Sequence, residues 1–112
     1  MIGSNNAMLD IAQALASHAA EAQRVAAHNI AQADTPGFKA RSVEAFAAAY
    51  AAGREAPRVG VDRTAAADPN GNTVSVEVQV LALADARGQH DLGLAIWDKT
   101  LGLYKAALGR IR

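Results

Sequence analysis

Few side chains in this 112-residue chain could do chemistry, and their spacing argues against most of it. Three histidines invite a metal reading. His18 and His28 are ten residues apart, not the four-residue step that stacks two imidazoles on one helical face, and His90 stands far from both. Asp85, Arg87, His90 and Asp91 bring acids, a cation and an imidazole within two turns. Charges so placed on a helix pair with neighbours or set the register of a seam. No glycine-rich loop follows a strand pattern, and no serine nucleophile elbow is present. Without cysteine there is no disulfide and no thiolate ligand. The expectation is no catalytic residue, no metal, no cofactor and no small-molecule substrate: not an enzyme.

One polar side chain remains in an informative place. Asn29 lies near the end of a long alanine-rich helical pattern, followed by Ile30, Gln32, Asp34, Thr35, Pro36, Gly37, Phe38, Lys39 and Arg41. Pro36 pushes Thr35 out of the helical region and offers no N–H. Gly37 permits a positive φ, so Pro36-Gly37 reads as the centre of a tight turn. Asp34 and Thr35 can bond nearby backbone groups in competition with the helix. The Asn29 amide would then bond the backbone of the following turn or of a neighbouring subunit. Phe38 would dock on the helix pair or anchor in an adjacent subunit, where a buried ring contributes about 2 to 3 kcal/mol. Lys39 and Arg41 would meet acidic groups on a partner, setting register more than affinity.

The elements that position this joint follow from apolar spacing. Met8, Ile11, Leu15, Ala19, Ala22, Val25, Ala26 and Ile30 predict a first helix over about 6–33, capped by Ser4, Asn5 or Asn6. Val43 to Ala52 predicts a short helix ended by Gly53, and Arg58 to Asp62 alternates as a short extended piece. Asp68-Pro69-Asn70-Gly71 is a turn, and Thr73 or Ser75 can cap the last helix. Steps of four and three from Val76 give Val80, Leu83, Arg87, His90, Leu94, Trp97, Leu101, Tyr104, Leu108 and Ile111, a heptad seam. Leu83, Leu94, Trp97, Leu101, Tyr104 and Leu108 are its expected assembly residues. Gly88, Gly93, Gly102 and Gly109 weaken this helix by about 1 kcal/mol each relative to alanine, unless close packing uses their lack of bulk. The expected fold is all-α. Two long antiparallel terminal helices form a coiled coil, divided as 1–42, a loop-rich middle at 43–73 with the short helix, and 74–112.

Composition says how well such a fold can stand alone. The chain is 51% hydrophobic, yet roughly a quarter of it is alanine and only 4% is aromatic. Alanine forms helix well and fills a core poorly. A lone core would be thin, so the terminal helices are expected to be weakly ordered until they assemble. Eleven cations balance eleven anions, which offers no general attraction to nucleic acid or to an anionic membrane. No segment is apolar enough to span a bilayer, and Met1 to Asp10 lacks the pattern of a secretory signal.

Asn29-Ile30-Ala31-Gln32-Ala33-Asp34-Thr35-Pro36-Gly37-Phe38-Lys39-Ala40-Arg41 resembles the N-terminal signature of the bacterial flagellar basal-body rod and hook proteins, and most of all the proximal rod type. Asp68-Pro69-Asn70-Gly71-Asn72-Thr73-Val74 and the C-terminal helix continue the resemblance, and Gln32 stands where the family usually has a second Asn. The resemblance implies a structural subunit that polymerises through its terminal helices into a hollow drive shaft needed for motility. It implies other rod subunits and the export gate or ring at the rod base as partners, together with homo-oligomeric contacts. It also implies flagellar type III export without a cleaved signal and a place in the periplasmic rod, not inserted in a membrane. The alternatives are another rod protein of the same family, or a helical interaction module such as an export adaptor or homo-oligomeric coiled coil.

Overall fold

The computed structural model describes residues 2–111 of the chain, and side chains from 7 to 110. Two long helices dominate it: α1, Ile2–Ala31, and α3, Val76–Ile111. Between them lie β1, Arg41–Val43, the short helix α2, Phe46–Ala51, and β2, Val59–Val61. The two strands pair antiparallel, Arg41 opposite Val61 and Val43 opposite Val59. Ala12 lies against Gly93 while Asn29 lies against Gln79, so numbers rise along α1 as they fall along α3 and the helices are antiparallel. The molecule measures 68 × 24 × 14 Å, with a radius of gyration of 18.1 Å. A compact chain of this length would have a radius of about 13 Å.

The two-helix architecture is the expected one. The extended piece at β2 forms, the turn at Asp68 to Gly71 closes with the Gly71 N–H donating to Asp68 O at 2.8 Å, and Ser75 caps α3 by accepting from the Val78 N–H at 3.3 Å. Three details differ. The first helix already runs from Ile2, so Ser4, Asn5 and Asn6 lie within it instead of capping it; their side chains fall outside the described residues. The short helix begins at Phe46, not Val43, because Val43 is taken into β1, which straddles the boundary drawn at residue 42. α1 ends at Ala31 and tightens through Gln32 to Asp34, where Ala33 N–H donates to Ile30 O and Thr35 N–H to Gln32 O.

The seam between the long helices is rotated by one position from the expected stripe. Gln79, Ala86, Gly93 and Thr100, seven residues apart, are the buried positions of α3. Leu83, His90, Trp97, Leu101 and Tyr104 are half-buried beside them, while Val80, Arg87, Leu94 and Leu108 are exposed. Backbone distance explains the choice. A Cβ on Gly93 would lie 2.9 Å from Ala12 O, 3.0 Å from Ala16 N and 3.1 Å from Ala16 Cβ, so the helices touch main chain to main chain there. Only small or slender residues fit on that line, and the leucines turn outward. The glycine expectation holds at this one position; Gly88, Gly102 and Gly109 face open space.

α2 rests on α1. Ala49 is buried, the Phe46 ring meets His18 edge-on at 5.6 Å, and Tyr50 Oη donates to Asp10 Oδ2 at 3.1 Å. Gly53, at φ +72, ends α2 as expected. Arg54 then reaches back to Glu44 through two parallel hydrogen bonds of 2.9 Å, Nε to Oε1 and Nη2 to Oε2. Glu44 also accepts from the Arg58 N–H at 3.2 Å. The guanidinium first, and that N–H second, hold the Glu44 carboxyl below its usual range. A carboxyl depressed in the folded state contributes stability above its ordinary pKa and loses it as pH falls through the depressed one. Glu44→Gln should therefore lower the urea midpoint at neutral pH and leave it near wild type in acid. An equal loss at both ends of the pH range would remove the ion pair from the account.

Candidate functional site

Among the described residues, the largest fully buried side chains are not leucines but two asparagines, Asn29 and Asn72. Both sit where α1 ends and α3 begins. The Asn29 amide faces β1 as a strand would: Oδ1 accepts from the Arg41 N–H at 3.0 Å and Nδ2 donates to Arg41 O at 2.8 Å. Its second Nδ2 hydrogen donates to Gln79 Oε1 on α3 at 3.0 Å. One side chain thus ties α1, β1 and α3 together. The partner expected within the chain was the backbone of the following turn. The amide skips the turn and bonds the strand beyond it.

Thr35, Pro36, Gly37 and Phe38 form that turn, closed by Phe38 N–H donating to Thr35 O at 3.2 Å. Proline second and glycine third, with Gly37 at φ +75, is the pattern of a type II turn. Thr35 Oγ1 donates to Gln32 Oε1 at 2.8 Å, while Asp34 is exposed with no side-chain hydrogen bond among the described residues. Phe38 is half-buried against the His28 ring, centroids 5.8 Å apart, so it docks on its own α1. Ile30 is also half-buried.

Asn72 closes the other side. Its Nδ2 donates to Gln32 O at 2.9 Å and to Thr35 O at 2.7 Å, adding a second bond to two carbonyls that each already accept one from the main chain of the turn. Its Oδ1 accepts from the Val74 N–H at 2.8 Å, turning the chain into α3. Next to it, Thr73 N–H donates to Phe38 O at 3.0 Å and Thr73 Oγ1 accepts from the Ala40 N–H at 2.8 Å. Gly37 N–H donates to Asn70 O at 3.0 Å. Lys39 Nζ donates to Gly71 O at 2.9 Å, and the Arg41 side chain is exposed. Neither cation forms an ion pair among the described residues.

The site is therefore a polar knot whose members satisfy one another. Buried amides are tolerated only when bonded, and here every donor and acceptor of Asn29 and Asn72 has a partner. The joint contains no nucleophile paired with a base; what it does physically is fix the angle at which chain leaves α1 and enters α3. Sequence reasoning found Asn29 and the turn, offered Thr73 only as a possible cap of the last helix, and assigned no role to Asn72 or Gln79. A readable signal existed for Gln79, which begins the seven-residue series continued by Ala86, Gly93 and Thr100. The ties that Asn72 and Thr73 make back to the end of α1 and to Ala40 were not readable, because those partners lie more than 30 residues away.

The remaining candidate groups are dispersed. His18 is buried, with Nε2 2.6 Å from Glu44 O and Nδ1 without a partner among the described residues. His28 lies on Phe38, and His90 lines a groove with Trp97 and Leu94. Arg87 pairs with Asp91 at 4.0 Å on the exposed face. Among the described residues no three His, Asp or Glu side chains gather as a metal would require, and no helix is long and apolar enough to cross a membrane. Compared with known proteins, the chain matches no family model and no curated sequence.

Proposed function

We propose that this chain is a structural subunit of the bacterial flagellar basal-body rod, built to polymerise through its terminal helices. The observation that carries the proposal is unburied surface. The chain exposes 7554 Å² at 11.6 kDa. A compact monomer of that mass would expose roughly 5,800 Å². The surplus of roughly 1,700 Å² is about twice what one partner contributes to a standard interface. Leu81, Leu92, Leu94, Leu103 and Leu108 stand on that surface, each at least half exposed or nearly so. Two helices form one layer, and a stable core takes a second. Neighbouring subunits around and along an axis would supply it, through heterologous contacts that propagate. The motif around Asn29 to Arg41, with its resemblance to rod proteins, selects the rod among such assemblies.

In this reading the proximal rod is the place, other rod subunits and the export gate or ring at the rod base are the partners, and the periplasm is reached without a cleaved signal. A closed homo-oligomer is the second reading. It is favoured by a cleft of about 420 Å³ where Ala12, Ala16, His90, Leu94 and Trp97 meet, which could take a helix of one partner copy. Deleting the gene decides between them: loss of filaments with basal rings retained is expected for a rod subunit, and normal filaments would end the proposal.

A further inference from the structure

The two ends of this elongated molecule are opposite in charge, and they cannot reach one another. At the joint end, the loop after β2 and the first turns of α3 enclose a cleft of about 680 Å³. Val76 and Val78 line it, both exposed although β-branched and apolar. Asp34, Asp62, Asp68 and Glu77 rim it, whereas Lys39 and Arg63 do not line it. At the far end, Thr100 is the last buried residue of α3. From there to Arg110 the described residues are exposed except for Leu101 and Tyr104, which are half-buried. This tip carries Leu103, 70% exposed, and Leu108, 51% exposed. Between Thr100 and Arg110 it also carries Lys105 and Arg110 and no acid.

We infer that the basic, leucine-bearing tip of α3 docks in the acidic, valine-lined cleft of a second copy, joining subunits head to tail. The inference rests on the rod reading and adds to it a named donor surface and a named acceptor surface. Self-occupancy is ruled out by rigidity: α3 has 36 residues and spans about 54 Å, so its C-terminal tip stands far from the cleft at its own N-terminus. A two-fold pairing of tip to tip would bring like charges together, as would cleft to cleft. The satisfying arrangement is therefore tip to cleft, which leaves one free tip and one free cleft after every addition. Burying Leu103 and Leu108 against Val76 and Val78 supplies the apolar part, and the charges fix which end meets which.

The test is a charge swap read by sedimentation velocity at low and high salt. Lys105→Glu with Arg110→Glu makes the tip acidic, and Asp34→Lys with Asp68→Lys makes the cleft basic. All four positions are exposed, and none of these side chains takes part in a hydrogen bond or ion pair among the described residues. Wild type should grow beyond a dimer with concentration, and high salt should reverse that growth. Each variant alone should associate about tenfold more weakly or less, with an unchanged helical circular-dichroism spectrum. Mixing the two variants should restore growth, because each acidic tip then meets a basic cleft. Two results overturn the contact: variants that associate as wild type does, or a mixture that stays as weak as its parts. A wild-type species that closes at two copies overturns it as well. None of these touches the rod reading, which stands or falls on filaments in the deletion strain.

Discussion

Asn29→Asp is expected to destabilise the fold by about 3 kcal/mol, although it changes one group and almost no volume. In the native joint, Nδ2 donates to Arg41 O and to Gln79 Oε1, both acceptors. An aspartate oxygen in that place faces two oxygens across hydrogen-bond distance, and its charge is buried without a cation. Leaving a buried group unsatisfied costs about 1 to 3 kcal/mol, more where a charge is involved. Three elements separate at once, so the loss should appear as a lower melting temperature by circular dichroism and as faster amide exchange at Arg41. Asn29→Asp with a melting temperature near wild type would mean that the amide does not hold α1, β1 and α3 together.

The second large effect reverses an ordinary rule. Alanine for glycine inside a helix normally stabilises it by about 1 kcal/mol. Gly88→Ala, Gly102→Ala and Gly109→Ala should do so, since nothing lies within 4 Å of the added carbon. Gly93→Ala should instead destabilise by about 2 kcal/mol. Its Cβ would meet Ala12 O at 2.9 Å and Ala16 N at 3.0 Å, and backbone cannot rotate away as a side chain can. The helices must part, and overpacking of this kind costs about 1 to 3 kcal/mol. Four urea titrations settle it: a Gly93→Ala midpoint that rises with the other three would show that α1 and α3 are not in main-chain contact. The same titrations bear on the expectation that the terminal helices are weakly ordered before assembly, because a sharp, cooperative melt in dilute protein would contradict it.

How much of this was legible beforehand depends on the reach of each interaction. Some ends of the elements were readable because their causes are local: Pro36 and Gly37 keep α1 from continuing, Gly53 ends α2, and Ser75 starts α3. Asn29 stood out by its place just before the Pro36-Gly37 turn and by the resemblance of the motif that it opens. β1 was not readable, since Arg41 to Val43 is a strand only by virtue of Val59 to Val61 and the Asn29 amide. The rotation of the α3 seam was hidden for a different reason. Hydrophobic spacing favours the stripe with the largest side chains, whereas the partner here is an alanine-rich helix that comes close enough to demand glycine. Where two helices approach that closely, the small residues mark the contact and the leucines mark what remains to be covered.

The joint has one consequence for how such a particle would come apart. Its buried ties are amides, a hydroxyl and main chain, whose charge does not change with acidity and whose strength ions in solution barely alter. The tie inferred between copies is ionic at its rim. Brine should thus unlink the chain of subunits while each lath keeps its elbow, so disassembly would return intact pieces ready to be used again.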